Sequence, residues 1–161
     1  IKNNTDKIFF NFSINNIFFL LLIFLIFIQI ILGAFVSGLD AGSIYQTWPL
    51  MGNTYFPDDF IIKDIKSVIN FDNHSLVQFY HRNLAYLITF YILLLGIFIQ
   101  IKNMKYLFKP FTILIIFLVL QIILGIFTLL SELNIYLALG HQISSVLLVF
   151  SAINLYYYQA K

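Results

Sequence analysis

The sequence predicts an all-α, polytopic membrane protein built as a bundle of four transmembrane helices. Its composition is 61% hydrophobic and 10% charged, whereas soluble domains carry about 25% charged residues. Charged residues divide the chain into four uncharged runs, Ile8–Leu39, Asn83–Ile101, Pro110–Ser131 and Leu133–Ala160. Each run approaches or exceeds the roughly 20 apolar residues that a membrane-spanning helix needs. The runs are continuous rather than alternating, which excludes a transmembrane strand barrel.

The four runs place the helices near residues 15–37, 80–101, 110–131 and 136–158. The connections leave little room for a soluble domain, so we expect residues 1–161 to form a single bundle. The chain has no cysteine, which excludes disulfides and thiolate ligands. Its nine basic residues are scattered, and we therefore expect no nucleic-acid partner.

Lysine placement predicts the orientation of the bundle, because basic residues favour the cytoplasmic side of a membrane. One side collects six basic residues and one acid, and the other side has three basic residues and six acids. The basic side comprises Lys2, Asp6, Lys7, Lys102, Lys105, Lys109 and Lys161. Both termini are therefore expected on the cytoplasmic or matrix side, and residues 40–80 on the outer side.

The outer connection between the first two spans carries its own pattern. Apolar residues at helical spacing predict a short amphipathic helix over Phe60–Phe71, starting near Pro57 and lying on the outer membrane surface. Tyr45 and Trp48 suit the level of the lipid headgroups. The connection either caps the bundle or acts as a lid over a ligand site. Near its start, the glycines that flank Asp40 predict a tight turn that holds this acid in place.

A five-residue motif, Gln-Ile-Ile-Leu-Gly, occurs twice, at residues 29–33 and 121–125. After each copy the chain crosses a polar stretch and enters the next helix through a histidine, His81 or His141. Both of these helices run inward, and each histidine lies about 30 Å from the inner end of its helix. We therefore expect the two histidines at similar depth near the outer face. In an up-down-up-down bundle their helices are diagonal neighbours that can clamp a ligand.

Two histidines facing each other can hold a flat metallocofactor, and we expect a heme with His81 and His141 as its iron ligands. Gly33 and Gly125 permit close backbone approach on the other two helices. Zinc is less suitable, because it needs three or four ligands. The alternative is that each histidine hydrogen-bonds a neighbouring helix and binds no metal. His74 lies in a polar run without a repeat partner, and we expect it to be solvated.

Two residues beside His81 are further candidates for cofactor binding. Arg82 follows it directly and could pair through its guanidinium with a heme propionate. The alternative for Arg82 is an interfacial side chain that extends to lipid headgroups. Gln78 lies one turn before His81 on nearly the same face, and it either hydrogen-bonds near the heme or ends the helix.

Taken together, these motifs resemble the C-terminal half of heme A synthases of the alphaproteobacterial and mitochondrial type. The resemblance runs from about residue 25 to residue 155. The matching stretches are Gly33–Gly42, Thr47–Met51, Val77–Arg82, Ala85–Tyr86, Gln121–Leu130 and His141–Gln142.

This resemblance implies one half of an eight-helix, pseudo-symmetric enzyme that oxidises a methyl group of heme O to the formyl group of heme A. It implies that this bundle holds heme b through His81 and His141, and that an N-terminal half, apparently absent from this chain, handles the heme O substrate. In that other half a glutamate precedes a histidine–arginine pair by three residues, and here the position holds Gln78. The link Ser131–Asn134 also lacks a proline usual in the family. That difference concerns only the conformation of the loop. Because the half that handles heme O is apparently absent, we expect this chain alone to be inactive.

Two other functions are compatible with the same residues. One is a free-standing b-type membrane cytochrome that transfers electrons, and the other is a cofactor-free membrane assembly subunit. For a heme A synthase, the expected location is the bacterial or mitochondrial inner membrane. The expected partners are the lipid bilayer, heme O and an electron donor or acceptor, and association into a homo-oligomer stays open.

Overall fold

The structure, a computed structural model, describes residues 13–59, 61 and 64–161. Over this part of the chain it contains four long α-helices, α1 (Ile14–Gly38), α3 (His74–Ile101), α4 (Phe108–Leu130) and α5 (Ile135–Ala160). One short helix, α2 (Ile65–Val68), lies in the outer connection, and single 3-10 turns occupy Ala41–Ser43 and Lys105–Leu107. All four long helices are long and apolar enough to cross a membrane, which confirms the predicted all-α membrane bundle.

The four long helices form a ring, in which each helix contacts the next one along the chain and the last contacts the first. Helix α1 packs against α3 and α5, α4 packs most extensively against α5, and α3 touches α4 only lightly. This order places α3 and α5 on one diagonal of the bundle and α1 and α4 on the other. The two histidine-bearing helices are therefore diagonal, as the sequence predicts.

The hydrophobic core fills the inner half of the bundle. On α3 it consists of a stripe at alternating spacings of four and three residues, which is one face of an α-helix. The stripe is formed by Ile88, Ile92, Leu95 and Ile99, all buried. It meets a matching stripe from α1 that contains Phe19, Leu22 and Ile26. Most of the remaining apolar surface faces outward, as expected for helices whose solvent is lipid.

The sequence repeat is also a repeat in burial. Buried positions of α1 recur on α4 in the register of the repeated motif, and those of α3 recur on α5 in the register of the histidines. Core positions that correspond are Leu22 and Leu114, Ile26 and Leu118, Ile88 and Leu148, Ile92 and Ala152, and Leu95 and Leu155. Each half of the bundle therefore presents its histidine two helical turns above an equivalent core position.

Helix α3 begins at His74, about two turns before the predicted start near residue 80, and this is the largest error in the predicted spans. Asn73 caps the helix by accepting a hydrogen bond from the Leu76 N–H at 2.9 Å. The first five residues of α3 include polar His74, Ser75 and Gln78, and of these Ser75 and Gln78 are buried beneath the outer connection. Counting apolar residues misses such a turn, because protein rather than lipid covers it.

The predicted helix over residues 60–71 is also wrong in its extent. Residues 60, 62 and 63 lie outside the described residues, and the helix that is described, α2, is a single turn. It begins after Asp64, which forms a capping box with Ser67, and not near Pro57. Ile65 and Ile69 are highly exposed, so the apolar side chains of this segment remain available to a membrane surface.

The outer ends of the helices are joined by two tight turns that touch. Asp40 adopts a left-handed conformation with φ of 53°, and Ser43 Oγ donates to its carbonyl oxygen at 2.7 Å. In the link from α4 to α5, Leu133 also has positive φ, which costs a leucine backbone energy. Its side chain packs on Gly42, where a Cβ atom would lie 2.9 Å away. The predicted turn at Asp40 is confirmed, and it fastens the two halves together.

Candidate heme site

His81 is held against α1 by the glutamine of the first repeated motif. Gln29 Nε2 lies 3.2 Å from Nδ1 and 3.4 Å from Nε2 of the imidazole, and it donates to the His81 main-chain oxygen at 3.0 Å. Gln29 Oε1 is buried and has no hydrogen-bond partner among the described residues. One amide therefore contacts both the ring and the backbone of the histidine, while its own acceptor is free.

His141 is held against α4 by the glutamine of the second copy, in a different way. Its Nδ1 lies 3.2 Å from the main-chain oxygen of Gln121, and its Nε2 lies 3.3 Å from the Gln121 side-chain nitrogen. Ser144 donates to Gln121 Oε1 and also, at 3.0 Å, to the His141 main-chain oxygen. The equivalent histidines thus have equivalent glutamine neighbours but different hydrogen bonds.

The glycine of each motif makes room for the imidazole that faces it. A Cβ atom on Gly33 would lie 3.2 Å from Cε1 of His81, and one on Gly125 would lie 2.9 Å from Cε1 of His141. A side chain at residue 125 would force the His141 ring to shift, and one at residue 33 would crowd the His81 ring. The sequence predicted a close approach of helix backbones at these glycines, and the neighbouring atoms are instead those of the imidazole rings.

The two histidines lie at the same depth. His81 is seven residues from the start of α3 and His141 is six residues from the start of α5, or about 10 Å along each helix. Each histidine is partly buried, and each contacts an uncharged amide rather than a carboxylate. Two imidazoles therefore lie at opposite corners of the bundle.

Gln78 and Arg82, one turn apart on α3, fasten the outer connection above this layer. Gln78 is 3% exposed, and its Nε2 donates to the Tyr45 carbonyl oxygen at 2.9 Å, while its Oε1 is buried without a partner in the part of the chain described. The Arg82 guanidinium donates from Nη2 to the same oxygen at 2.8 Å and from Nη1 to the carbonyl oxygens of Thr47 at 2.8 Å and Leu50 at 3.2 Å. Both side chains thus hold the connection directly beside His81.

A second network ties the far part of the connection to α3. Asp59 accepts hydrogen bonds from Ser75 Oγ at 2.6 Å and from the Tyr45 hydroxyl at 2.8 Å. Burial raises the pKa of the Asp59 carboxyl, but these two hydrogen bonds lower it, and the net pKa lies below its ordinary value. The pKa of the Tyr45 phenol is raised, first by burial and then by its bond to Asp59. The outer connection, called the cap below, is therefore anchored to α3 through the Asp59 carboxylate.

The remaining candidates do not join the site. His74 is exposed at the first position of α3, which confirms its predicted solvation. Among the described residues, no group of three or more histidine, cysteine, aspartate or glutamate side chains is placed to hold a metal ion. Ligation at this layer would therefore rest on the two histidines.

Sequence reasoning missed the direct neighbours of the imidazoles. Gln29 and Gln121 head the repeated motif, and a glutamine inside an apolar span is costly unless it has a polar partner. This cost predicts a polar partner for each glutamine, and the histidines were the available candidates. The carbonyl partners of Arg82 carry no comparable signal, because main-chain oxygens are present at every residue.

Comparison with known proteins decides the family. The model of the family described as COX15-CtaA, cytochrome oxidase assembly protein, matches residues 12–153. The chain belongs to this family. Its matched region includes both repeated motifs, both histidines and the whole outer connection.

Individual relatives agree with this assignment. The chain is 43% identical over 139 residues to a heme A synthase of Pelagibacter ubique strain HTCC1062, covering 86% of this chain and 41% of that protein. It is 41% identical over 133 residues to a heme A synthase of Wolbachia pipientis wMel, covering 83% and 36%. A heme A synthase of Bartonella henselae is 39% identical over 134 residues, covering 81% and 37%. The chain thus spans about two fifths of the length of these relatives. No solved structure matches it.

Proposed function

We propose that this chain is the heme b-binding part of a heme A synthase, the oxidoreductase that converts heme O to heme A. The observation that supports this most directly is the pair of histidines at equal depth on diagonal helices, each backed by the Gln and Gly of the same motif. Membership of the family and the names of its relatives supply the reaction.

The described residues fit a heme by the chemistry of their donors. Two imidazoles at one depth could both ligate a heme iron, and the described partners of each ring include an amide and no carboxylate. Gln29 Oε1, buried without a partner in the described structure, marks a site with an unused polar group. Gly33 and Gly125 keep space at the rings that any side chain would occupy.

We assign separate tasks to the residues around such a heme. When bound, a bis-histidine heme b supplies reversible one-electron transfer at iron. His81 and His141 hold the iron. The outer connection excludes water from above, and Gln78 maintains the connection in place through the carbonyl oxygen of Tyr45.

Arg82 is proposed as the charged partner of a heme propionate. A guanidinium has five N–H donors, and the three bonds to the outer connection leave two of them for a carboxylate. Arg82 lies at the outer edge of the histidine layer, where the polar end of a heme would meet the cap. The same side chain would then hold both the cap and the cofactor.

The position of Gln78 supports a cofactor-binding rather than a catalytic role for this bundle. An amide cannot act as the general acid or base that a glutamate supplies. We therefore propose that the four helices described here bind heme b and do not themselves convert heme O. We further propose that the lysine-rich ends lie on the cytoplasmic or matrix side, with the cap on the outer side.

Extraction of the bound hemes tests this proposal. The 161-residue chain would be expressed in a heme-sufficient host that makes heme O, purified, and its hemes separated by chromatography. The expected result is heme B in roughly one-to-one ratio with protein and no heme A. Heme A made by this chain would contradict the proposed division of tasks, and a colourless protein would contradict the heme site and favour a cofactor-free assembly subunit.

A further inference from the structure

The two equivalent histidines differ in what can accept a hydrogen bond from their rings. Nδ1 of His141 faces a main-chain oxygen, that of Gln121, at 3.2 Å. The His81 ring faces a side chain, the amide of Gln29, whose nitrogen lies within 3.4 Å of both ring nitrogens. One ring is thus oriented by backbone and the other by a side chain.

Coordination chemistry restricts which partner a ligating imidazole can use. A neutral imidazole has one N–H donor and one nitrogen lone pair. Once the lone pair binds a metal, the ring keeps only its N–H, and any protein partner has to be an acceptor. For His141 that acceptor is already in place, so its Nε2 is the nitrogen left for iron. The Gln121 amide nitrogen, 3.3 Å from this Nε2, moves aside on ligation.

For His81 the acceptor has to come from Gln29. Of the atoms of that amide, Nε2 donates to the His81 main-chain oxygen, and Oε1 is buried with no partner among residues the structure describes. A change in the side-chain torsions of Gln29 brings Oε1 to the ring N–H and withdraws Nε2 from the His81 main-chain oxygen. The released main-chain oxygen stays within the hydrogen-bond ladder of α3. The Gln121 amide differs, since its Oε1 already accepts a hydrogen bond from Ser144.

We infer that Gln29 is a positioning residue for His81, whose Oε1 accepts the ring N–H when the imidazole ligates iron, whereas the main chain of Gln121 orients His141. This inference rests on the proposed heme site. It divides two residues of the same motif into different roles. Gln29 controls the electronic character of its histidine, and the side chain of Gln121 does not.

Matched substitutions in the heme-loaded chain test this division. The readout is the near-infrared charge-transfer band of the oxidised heme, which moves when an axial imidazole gains imidazolate character. Gln29→Glu should shift this band in the imidazolate direction, because a carboxylate accepts the ring N–H strongly. Gln121→Glu is the control of equal charge, and it should leave the band in place because its carboxylate does not reach that N–H.

A second pair keeps the inference falsifiable if a glutamate variant fails to fold. Gln29→Met removes the acceptor at similar volume and should convert part of the heme to a high-spin form that binds carbon monoxide when reduced. Gln121→Met should stay low-spin. Equal behaviour of the two Met variants, or a band shift in Gln121→Glu alone, would overturn the inference while leaving the heme site intact. Absence of heme from the wild type would overturn both.

Discussion

Gly125 and His141 touch so closely that a Cβ atom at residue 125 would lie 2.9 Å from Cε1 of the imidazole. Real Cβ atoms essentially never lie under 3.0 Å from another heavy atom of this kind. The His141 ring also hydrogen-bonds the main chain of Gln121, which lies on α4 like Gly125. The ring therefore has little freedom to move away from residue 125. The second copy of the motif therefore fixes the position of the His141 ring through Gly125 and the Gln121 main chain.

The first prediction is that Gly125→Ala displaces His141. Overpacking of this kind costs about 1–3 kcal/mol of stability, more than alanine gains by helix propensity. The expected result is loss of low-spin heme with a lowered unfolding temperature. Gly33→Ala should act in the same direction but less strongly, since its Cβ would lie 3.2 Å from the His81 ring.

Gly38 offers a matched control for these variants. It lies on α1 like Gly33, but a Cβ there would meet no atom within 4 Å. Gly38→Ala should keep both the spectrum and the stability of the wild type. A Gly125→Ala variant with a normal heme spectrum would show that the close contact between residue 125 and His141 is not needed for heme binding.

The second prediction concerns Arg82 and the cap. Arg82→Leu should release the segment from Tyr45 to Leu50, with a local loss of about 1.5–3 kcal/mol for the hydrogen bonds of a charged group. The measurement is amide hydrogen exchange of that segment. Arg82→Lys should fall between, because one ammonium cannot reach three carbonyl oxygens as a guanidinium does. Unchanged exchange in Arg82→Leu would mean that Gln78 alone holds the cap.

The third prediction is that acid loosens the cap. The folded-state pKa of Asp59 lies below its ordinary value, so its contribution is complete above the unfolded-state pKa. That contribution is lost as the pH falls through the lower, folded-state pKa, where the carboxylate takes up a proton and its bonds to Tyr45 and Ser75 weaken. The protection of amides around residue 59, measured relative to the intrinsic exchange rate at each pH, should fall over this acidic range. Asp59→Asn should remove the pH dependence, and an equal acid response in that variant would refute the assignment.

The fourth prediction separates folding from the site. At the inner end, Gln159 donates to Asn16 Oδ1 at 3.1 Å and accepts from the Tyr106 hydroxyl at 2.9 Å. Gln159→Leu should cost about 0.5–1.5 kcal/mol for each bond. The heme spectrum should not change, because residue 159 lies at the opposite end of α5 from His141. A changed spectrum would show that the two ends are coupled.

The predicted spans agree with α1, α4 and α5 to within about two residues at each end. They failed at the start of α3, where the cap covers polar Ser75 and Gln78. The helix predicted near Pro57 failed for a related reason. The side chains of Asp58 and Asp59, which follow Pro57, accept hydrogen bonds from Thr54 and Tyr45 across the connection.

The histidine layer could be predicted as far as depth and helix pairing, since both follow from residue spacing. The difference between the surroundings of His81 and His141 could not. It depends on which atom of Gln29 or Gln121 faces the ring, and two identical motifs do not encode that choice. Ser144, one turn after His141, has no polar counterpart after His81, where Leu84 stands. That single difference is consistent with the asymmetry.

A reduced-minus-oxidised visible spectrum of the purified chain tests the central claim most directly. It would be recorded beside His81→Ala and His141→Ala, with His74→Ala as a control for an exposed histidine on the same helix as His81. The account predicts a sharp low-spin b-type band in the wild type and in His74→Ala, and its loss or conversion to high spin in each of the other two. A band indifferent to His81→Ala and His141→Ala, or no band at all, would contradict the paired ligation.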